Sequence, residues 1–363
     1  IFCVNGDYLA DISAVGVLDA MMGETYDYDI YPVINAQNLV IADLPAFVSE
    51  NEEEMQKRYS QSAQAVYQEI VWPSLTSIAS RTGAKMTCMM TPQFTYTDEE
   101  EPDGENVTYY LKRLKEEHAE AGLSADSREG IPLSEKIKQD QTFWQTYAPS
   151  YRFLSLYADG VKSIGEESAL PAEIRTVALG SGASGQAVGY LNENVTLQPS
   201  TSSGIRHTFL DDFKVKCMET ALGYSNITLD LYSVTYPEGD EDSWEKMSKK
   251  IAANLGTYWK AYEAFDATTL TESDVRIRRF LALDYKQQRA GNVITLSLEH
   301  REDAAWFLPR LHGEKVTEVA GGSFEEIEDG VYLILAEEDE VSVKVQNGET
   351  WQYQDGGKRG DGT

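Results

Sequence analysis

Residues 111–130 read LKRLKEEHAEAGLSADSREG. Charges surround a narrow apolar stripe in the first half, which predicts an amphipathic helix over 107–121; the second half runs into a strand end and a polar turn. Outward from this point the order strand, helix, strand repeats. Upstream, a helix is predicted over 51–81, with Tyr59, Val66, Ile70, Leu75 and Ile78 at helical spacing and a kink at Pro73. It closes at Gly83 and delivers the strand AKMTCMMTPQF. IFCVNGD at the start and NLVIADLP at 38–45 read as buried strands, each ending in an aspartate. Downstream, VALG (177–180), VTLQPS (195–200) and SNITLDLYSV (225–234) read as strands. The helix LDDFKVKCMETALG lies between the last two and ends at Gly223, and a long helix over about 243–265 follows. This alternation predicts an α/β fold with a parallel sheet or a β/α barrel.

From Gly291 the period changes. NVITLSLEH, KVTEVAGG and GVYLILAEEDEVSVKV read as short strands, with Val331, Leu333, Leu335 and then Val341, Val343, Val345 alternating as half-buried strands do. The expected organisation is a barrel over 1–285, in which residues 1–45 either lead into it or end a preceding domain, then a small antiparallel β-sandwich-like domain over 290–347 and a flexible tail over 348–363.

The formal net charge of −29 removes nucleic acid and anionic membrane surfaces from the expected partners, because nothing neutralises phosphates. The acidic runs, such as 98–105, 237–245 and 336–340, read as solvated loops without the ligand spacing of a calcium loop. Cys3, Cys88 and Cys217 read as buried thiols, and the Asn-x-Thr triplets at Asn106, Asn194 and Asn226 as accidents of strand edges. No stretch reaches eighteen uninterrupted apolar residues, and no membrane-spanning segment is expected. The absence of an initial methionine fits a piece of a longer protein.

GSGASG at 180–185 matches a dinucleotide-binding pattern only loosely, since too few residues follow before the next strand, which ends at Gln198 with no acid. The same stretch lacks the spacing of a serine nucleophile elbow. His118, His207, His300 and His312 make no i, i+3 or i, i+4 pair, so no helical zinc site is expected. Carboxylates at strand or loop ends remain: Asp7, Asp43, Asp230 and the Asp211–Asp212 pair, the last also explained as a helix cap. Tyr96, Trp144, Tyr147, Tyr151, Tyr236, Trp244 and Trp259 lie near predicted loops, where aromatic faces stack on sugars or simply fill a core.

Residues 71–93, VWPSLTSIASRTGAKMTCMMTPQ, together with LKRLKEEHAEAGLSADS and LQPSTSSG followed by FKVKCMETALGYSNITLDLYS, resemble in their order the polysaccharide deacetylase (NodB-like) family over roughly residues 40–265. That resemblance implies a distorted β/α barrel and metal-assisted removal of acetyl groups from glycans. It also implies two metal histidines, which fall here at Ser124 and Arg128, and an arginine, which falls at Gln198; Leu298-Glu299-His300 matches a late family motif and reads as the first strand of the β-domain. The resemblance therefore implies a divergent bacterial branch without the usual metal site, with no cofactor expected. A divalent metal held by Asp126 with Asp43 or His207 is the departure that would restore one.

The expected function is binding or processing of a bacterial exopolysaccharide, extracellularly or at the cell envelope. Asp43, Asp126 and Asp7 are the candidate catalytic residues, and Ser124, Arg128, Gln198, His207 and Asp230 the candidate substrate contacts. Two other readings stay open: a metal-independent glycoside hydrolase or lyase using strand-end carboxylates, and a non-catalytic scaffold among polysaccharide synthesis and export proteins.

Overall fold

Seven residues in a row, Ala36–Ala42 (β2), are buried, the pattern of a parallel strand covered on both faces. In the computed structural model, which describes residues 3–45, 47–96, 101–128, 131–164, 170–181, 186–260 and 265–347, the chain forms two units. One comprises Ile1–Ala20 with Ile34–Leu281, the other Met21–Val33 with Ala282–Thr363.

The first unit is built on β2, Met86–Met90 (β3), Glu120–Ser124 (β4), Ser155–Ala158 (β5), Thr176–Leu179 (β6), Gly189–Asn192 (β7), Val195–Pro199 (β8), Ser202–Ser203 (β9), Tyr224–Asp230 (β10) and Ala267–Thr268 (β11). Their order is β7-β8-β6-β5-β4-β3-β2-β10-β9, with β11 also on β2. Every pairing is parallel except the β7–β8 hairpin. β8 lies near one edge and β9 at the other, yet only Ser200 and Thr201 separate them in the chain. Thr201 N–H donates to Asn226 O at 2.8 Å, and the Asn226 amide donates to Gln198 O at 3.1 Å. The segment 195–203 thus curls the sheet into a distorted barrel.

Alternation along the strands sorts the side chains. Leu39, Ile41, Cys88, Met90, Ile227 and Leu229 face outward onto the helices Trp72–Thr82 and Trp244–Asn254. Val40, Ala42, Met89, Tyr157 and Ala178 face inward, where they meet Leu270. Leu270 opens the helix Leu270–Ala282, whose first turn corks the barrel at the N-terminal ends of its strands. Leu270 N–H donates to Thr87 Oγ1 (3.0 Å), Thr271 N–H to Glu120 Oε2 (2.9 Å), Thr196 Oγ1 to Asp274 Oδ1 (2.6 Å), and the Asn38 amide to Ser273 Oγ (3.2 Å). With one end closed, the opposite end is where a ligand can enter.

Several expectations are corrected. IFCVNGD is not a buried strand: residues 3–9 are exposed and Gly6–Leu9 form a 3-10 turn. Cys3 is accordingly exposed, whereas Cys88 and Cys217 are buried. The helix expected over 51–81 breaks at Ser60, which takes φ +56°, and Pro73 sits harmlessly in the first turn of Trp72–Thr82. β5 and the helices Leu133–Tyr147 and Leu270–Ala282 were not anticipated.

The second unit is two four-stranded antiparallel sheets. Asp29–Val33 (β1), Ala305–Arg310 (β14), Val331–Ala336 (β17) and Gly322–Glu328 (β16) form one, in the order β1-β14-β17-β16. Asp284–Ala290 (β12), Val293–Glu299 (β13), Glu340–Asn347 (β18) and Glu314–Ala320 (β15) form the other. Ile30, Phe307 and Ile334 of the first share a core with Ile294, Leu296 and Val343 of the second. β1 therefore pairs with β14 rather than with the barrel, and β12 precedes the strand carrying Leu298-Glu299. The tail expected over 348–363 lies outside the described residues.

Candidate active site at the barrel mouth

Four aspartates occupy the C-terminal ends of β2, β4, β5 and β10: Asp43, Asp126, Asp159 and Asp230. Alternation alone would turn Asp43 outward, because Ala42 faces in. Instead Asp43 takes φ +60°, a left-handed conformation that Asp tolerates better than most residues. The turn carries its carboxyl to the inner face, fully buried, where Ser124 Oγ donates to Oδ1 at 2.7 Å. The same hydroxyl accepts the Asp126 N–H at 3.2 Å, so Ser124 ties both aspartates together.

The electrostatics follow from crowding like charges in a partly dry space. Burial, then the charges of Asp126 and Asp230, push Asp43 well above the ordinary carboxylate range. Burial and the neighbouring Asp230 push Asp126 up to about 7. Asp43 Oδ2 is buried with no donor, and the charge of Asp126 is among the causes that raise Asp43, so the pair resists carrying two charges at once. Asp230 keeps contact with solvent from within the mouth. The protein wall around it and Asp159 still raise its carboxyl, while the Tyr232 N–H (2.9 Å) and Arg206 oppose the rise.

Tyr157 rises between these groups from β5, buried. Burial and the four carboxylates keep its hydroxyl protonated, a donor facing acceptors. Gly180 makes room: a Cβ there would stand 2.8 Å from both the Tyr157 hydroxyl and Asp159 Oδ1. At the rim, Phe94 meets Tyr232 edge-on at 5.0 Å, Tyr232 stacks on Tyr236 at 5.0 Å, and the Arg128 guanidinium lies 4.5 Å over Tyr236. Glu50 fixes this shelf. Its Oε1 accepts the N–H groups of Phe94 and Thr95 at 3.0 and 2.8 Å, and its Oε2 accepts the Tyr236 hydroxyl at 3.1 Å. Behind the mouth, buried Lys136 donates to Thr91, Tyr96 and Asp140 at 2.7, 2.7 and 2.8 Å, and its charge moderates the rise at Asp126.

Of the residues singled out in the sequence, Asp43, Ser124, Asp126 and Asp230 meet here, with Arg128 on the rim. Gln198 does not reach the mouth. Its amide is consumed inside the barrel by Asn38, Thr176 and the Leu270 carbonyl. His207 stacks on Tyr258 at 3.4 Å with Nδ1 bound to Ser202 Oγ at 2.7 Å. Asp7 sits in the exposed turn, held by Asn5. Asp159, Tyr157, Lys136, Glu50 and Tyr232 escaped the sequence reading. Asp159 was legible in principle, since SLYADG repeats the apolar-run-then-aspartate form of VIADLP. Residues 182–185 of the glycine-rich loop lie outside the described residues.

A deacetylase metal does not fit this donor set. Ser124 spends its hydroxyl on Asp43, Arg128 brings a cation, and among the described residues no group of three or more His, Cys, Asp or Glu is placed to hold a metal ion.

No family model and no curated protein matches the chain. Solved structures give weak similarity to polysaccharide deacetylases and glycoside hydrolases. A Mycobacterium smegmatis protein assigned as a polysaccharide deacetylase has 8% identity and TM-score 0.37 over 66% of this chain and 90% of its own. A peptidoglycan N-acetylglucosamine deacetylase has 12% identity and TM-score 0.35 over 66% and 87%. An endo-β1,6-glucanase has 10% identity and TM-score 0.32 over 94% and 90%. No helix among the described residues is long and apolar enough to cross a membrane.

Proposed function

We propose that the chain is a carbohydrate-active enzyme that cleaves a glycosidic bond of a polysaccharide or oligosaccharide by carboxyl chemistry. The observation that carries this reading is the pair of unlike carboxyl groups at the mouth: Asp126, raised to about 7, beside the more solvated Asp230. Glycoside hydrolysis asks for one carboxyl kept protonated near neutral pH and another kept ionised. Asp126 is the general acid, giving its proton to the departing glycosidic oxygen. Asp230, whose rise Arg206 and the Tyr232 N–H oppose, faces the sugar carbon at which positive charge develops; water adds to that carbon, and its surplus proton restores Asp126. Asp43 is a positioning residue that holds Asp126 beside it, and the protonated Tyr157 hydroxyl stands among the carboxylates. The faces of Tyr232 and Tyr236 suit a sugar ring.

The test is hydrolysis of a panel of neutral and acidic oligosaccharides by the full chain and by Asp126→Asn and Asp230→Asn. The expected result is cleavage that falls by roughly 10²- to 10⁴-fold in either variant. Because Asp126 acts in its protonated form, the rate declines as pH rises through about 7, and this limb disappears in Asp126→Asn. Cleavage that survives both substitutions overturns the assignment.

A further inference from the structure

A second concavity lies outside the barrel, between the helix Leu133–Tyr147 and the outer face of β4 and β5, with a volume of about 580 Å³. That is the size of a small-ligand pocket. Its floor is aromatic: Phe153 stands 4.9 Å from Trp144 and 4.9 Å from Tyr151. Its wall is polar. Gln141 and Gln145, one helical turn apart, and Arg152 line it, and none of the three side chains has a hydrogen bond or ion pair among the described residues. An uncommitted arginine is unexpected in a chain with 60 acidic residues against 31 basic ones.

We propose that this cavity is a second sugar-binding site, separate from the mouth, which takes one or two hexose rings of an oligosaccharide. Gln141, Gln145 and Arg152 are exposed to water, so a ligand that covers them has to replace those hydrogen bonds, which an apolar one does not. A sugar satisfies both surfaces: its C–H face lies on aromatic carbon, and its hydroxyls accept from Arg152 and exchange bonds with the amides, which both donate and accept. The cavity is also one step from the mouth. Ser124 borders it while holding Asp43, and Asp140 borders it while holding Lys136. Only the class of ligand is taken from the proposed function.

The experiment measures binding of fluorescein-labelled cellohexaose, chitohexaose and maltohexaose by fluorescence anisotropy, on the full chain carrying Asp126→Asn so that cleavage of a probe is slowed. Into this parent go Gln141→Ala with Gln145→Ala, and separately Arg152→Ala. Gln141 and Gln145 are exposed, so their removal leaves the fold intact, checked by an unchanged melting curve. Expected is binding of at least one probe, weakened roughly tenfold by the double substitution and again by Arg152→Ala. Failure of all three probes to bind the parent, or binding indifferent to both sets of substitutions, overturns the proposal. If the cavity variants lose binding while the wild-type chain cleaves nothing, the catalytic reading falls and this one stands.

Discussion

The two ends of the barrel use similar residues for opposite purposes. At the N-terminal end, Asn38, Thr87, Glu120, Thr196 and Asp274 each find a hydrogen-bond partner, and the helix Leu270–Ala282 fills the space between them. At the C-terminal end, Asp43, Asp126, Asp159 and Asp230 face one another, moderated by the Ser124 hydroxyl, the Tyr232 N–H and the charges of Lys136 and Arg206. Polar side chains committed to partners across the plug fix one structure; like charges left facing one another store the perturbed acidity that catalysis uses.

The largest effect on stability should come from the satisfied end. Asp274 is 4% exposed and accepts from both the buried Thr196 Oγ1 and the half-buried Arg278 guanidinium, so Asp274→Ala removes a partly buried ion pair and the hydrogen bond from Thr196 together. Loss of about 3 kcal/mol is expected in urea denaturation, with the pH dependence of any activity unchanged. Gly180→Ala should do the reverse. Its new methyl would press on Tyr157 and Asp159 at the mouth, lowering kcat/KM by roughly tenfold to a hundredfold while leaving the melting temperature nearly in place. If the two variants behave alike, the division of labour between the ends is wrong.

The sequence made the barrel strands visible because parallel strands are long apolar runs and their helices close with glycine, as at Gly83 and Gly223. β5 hid because only SLYA is strand and a polar helix precedes it. The plug hid for another reason: Leu270–Ala282 buries Ser273 and Asp274 beside Leu270 and Ile277, so its inner face does not look apolar. β1 went unread because pairing with a strand almost 280 residues away leaves no local mark. At the site, strand-end aspartates could be counted in advance. The left-handed turn at Asp43, the Ser124 bridge and the Glu50 shelf are tertiary facts. Gln198 shows the converse error, since a residue at the position of a family arginine proved to be packing in the barrel interior.

The smallest effect is also the sharpest test of the mouth. Carboxyls raised in the folded state bind protons that the unfolded chain releases, so their contribution to stability is complete below the ordinary value of 3.8. It is lost as pH climbs through the folded values, for Asp126 between 3.8 and about 7. Asp43 carries this to higher pH, being fully buried and pushed well above that range. Asp43→Asn removes the ionisable group, keeps an acceptor for Ser124 Oγ and a donor for Asp126, and tolerates φ +60°. Melting at pH 8.5 should therefore rise by a few degrees relative to wild type, with little change at pH 4. Asp43→Ala, which loses the Ser124 bond and tolerates the left-handed backbone poorly, should melt lower at both pH values. A gain for Asn at pH 4 as large as at pH 8.5 would mean that Asp43 bears no perturbed proton, and the contrast between the two ends would reduce to packing.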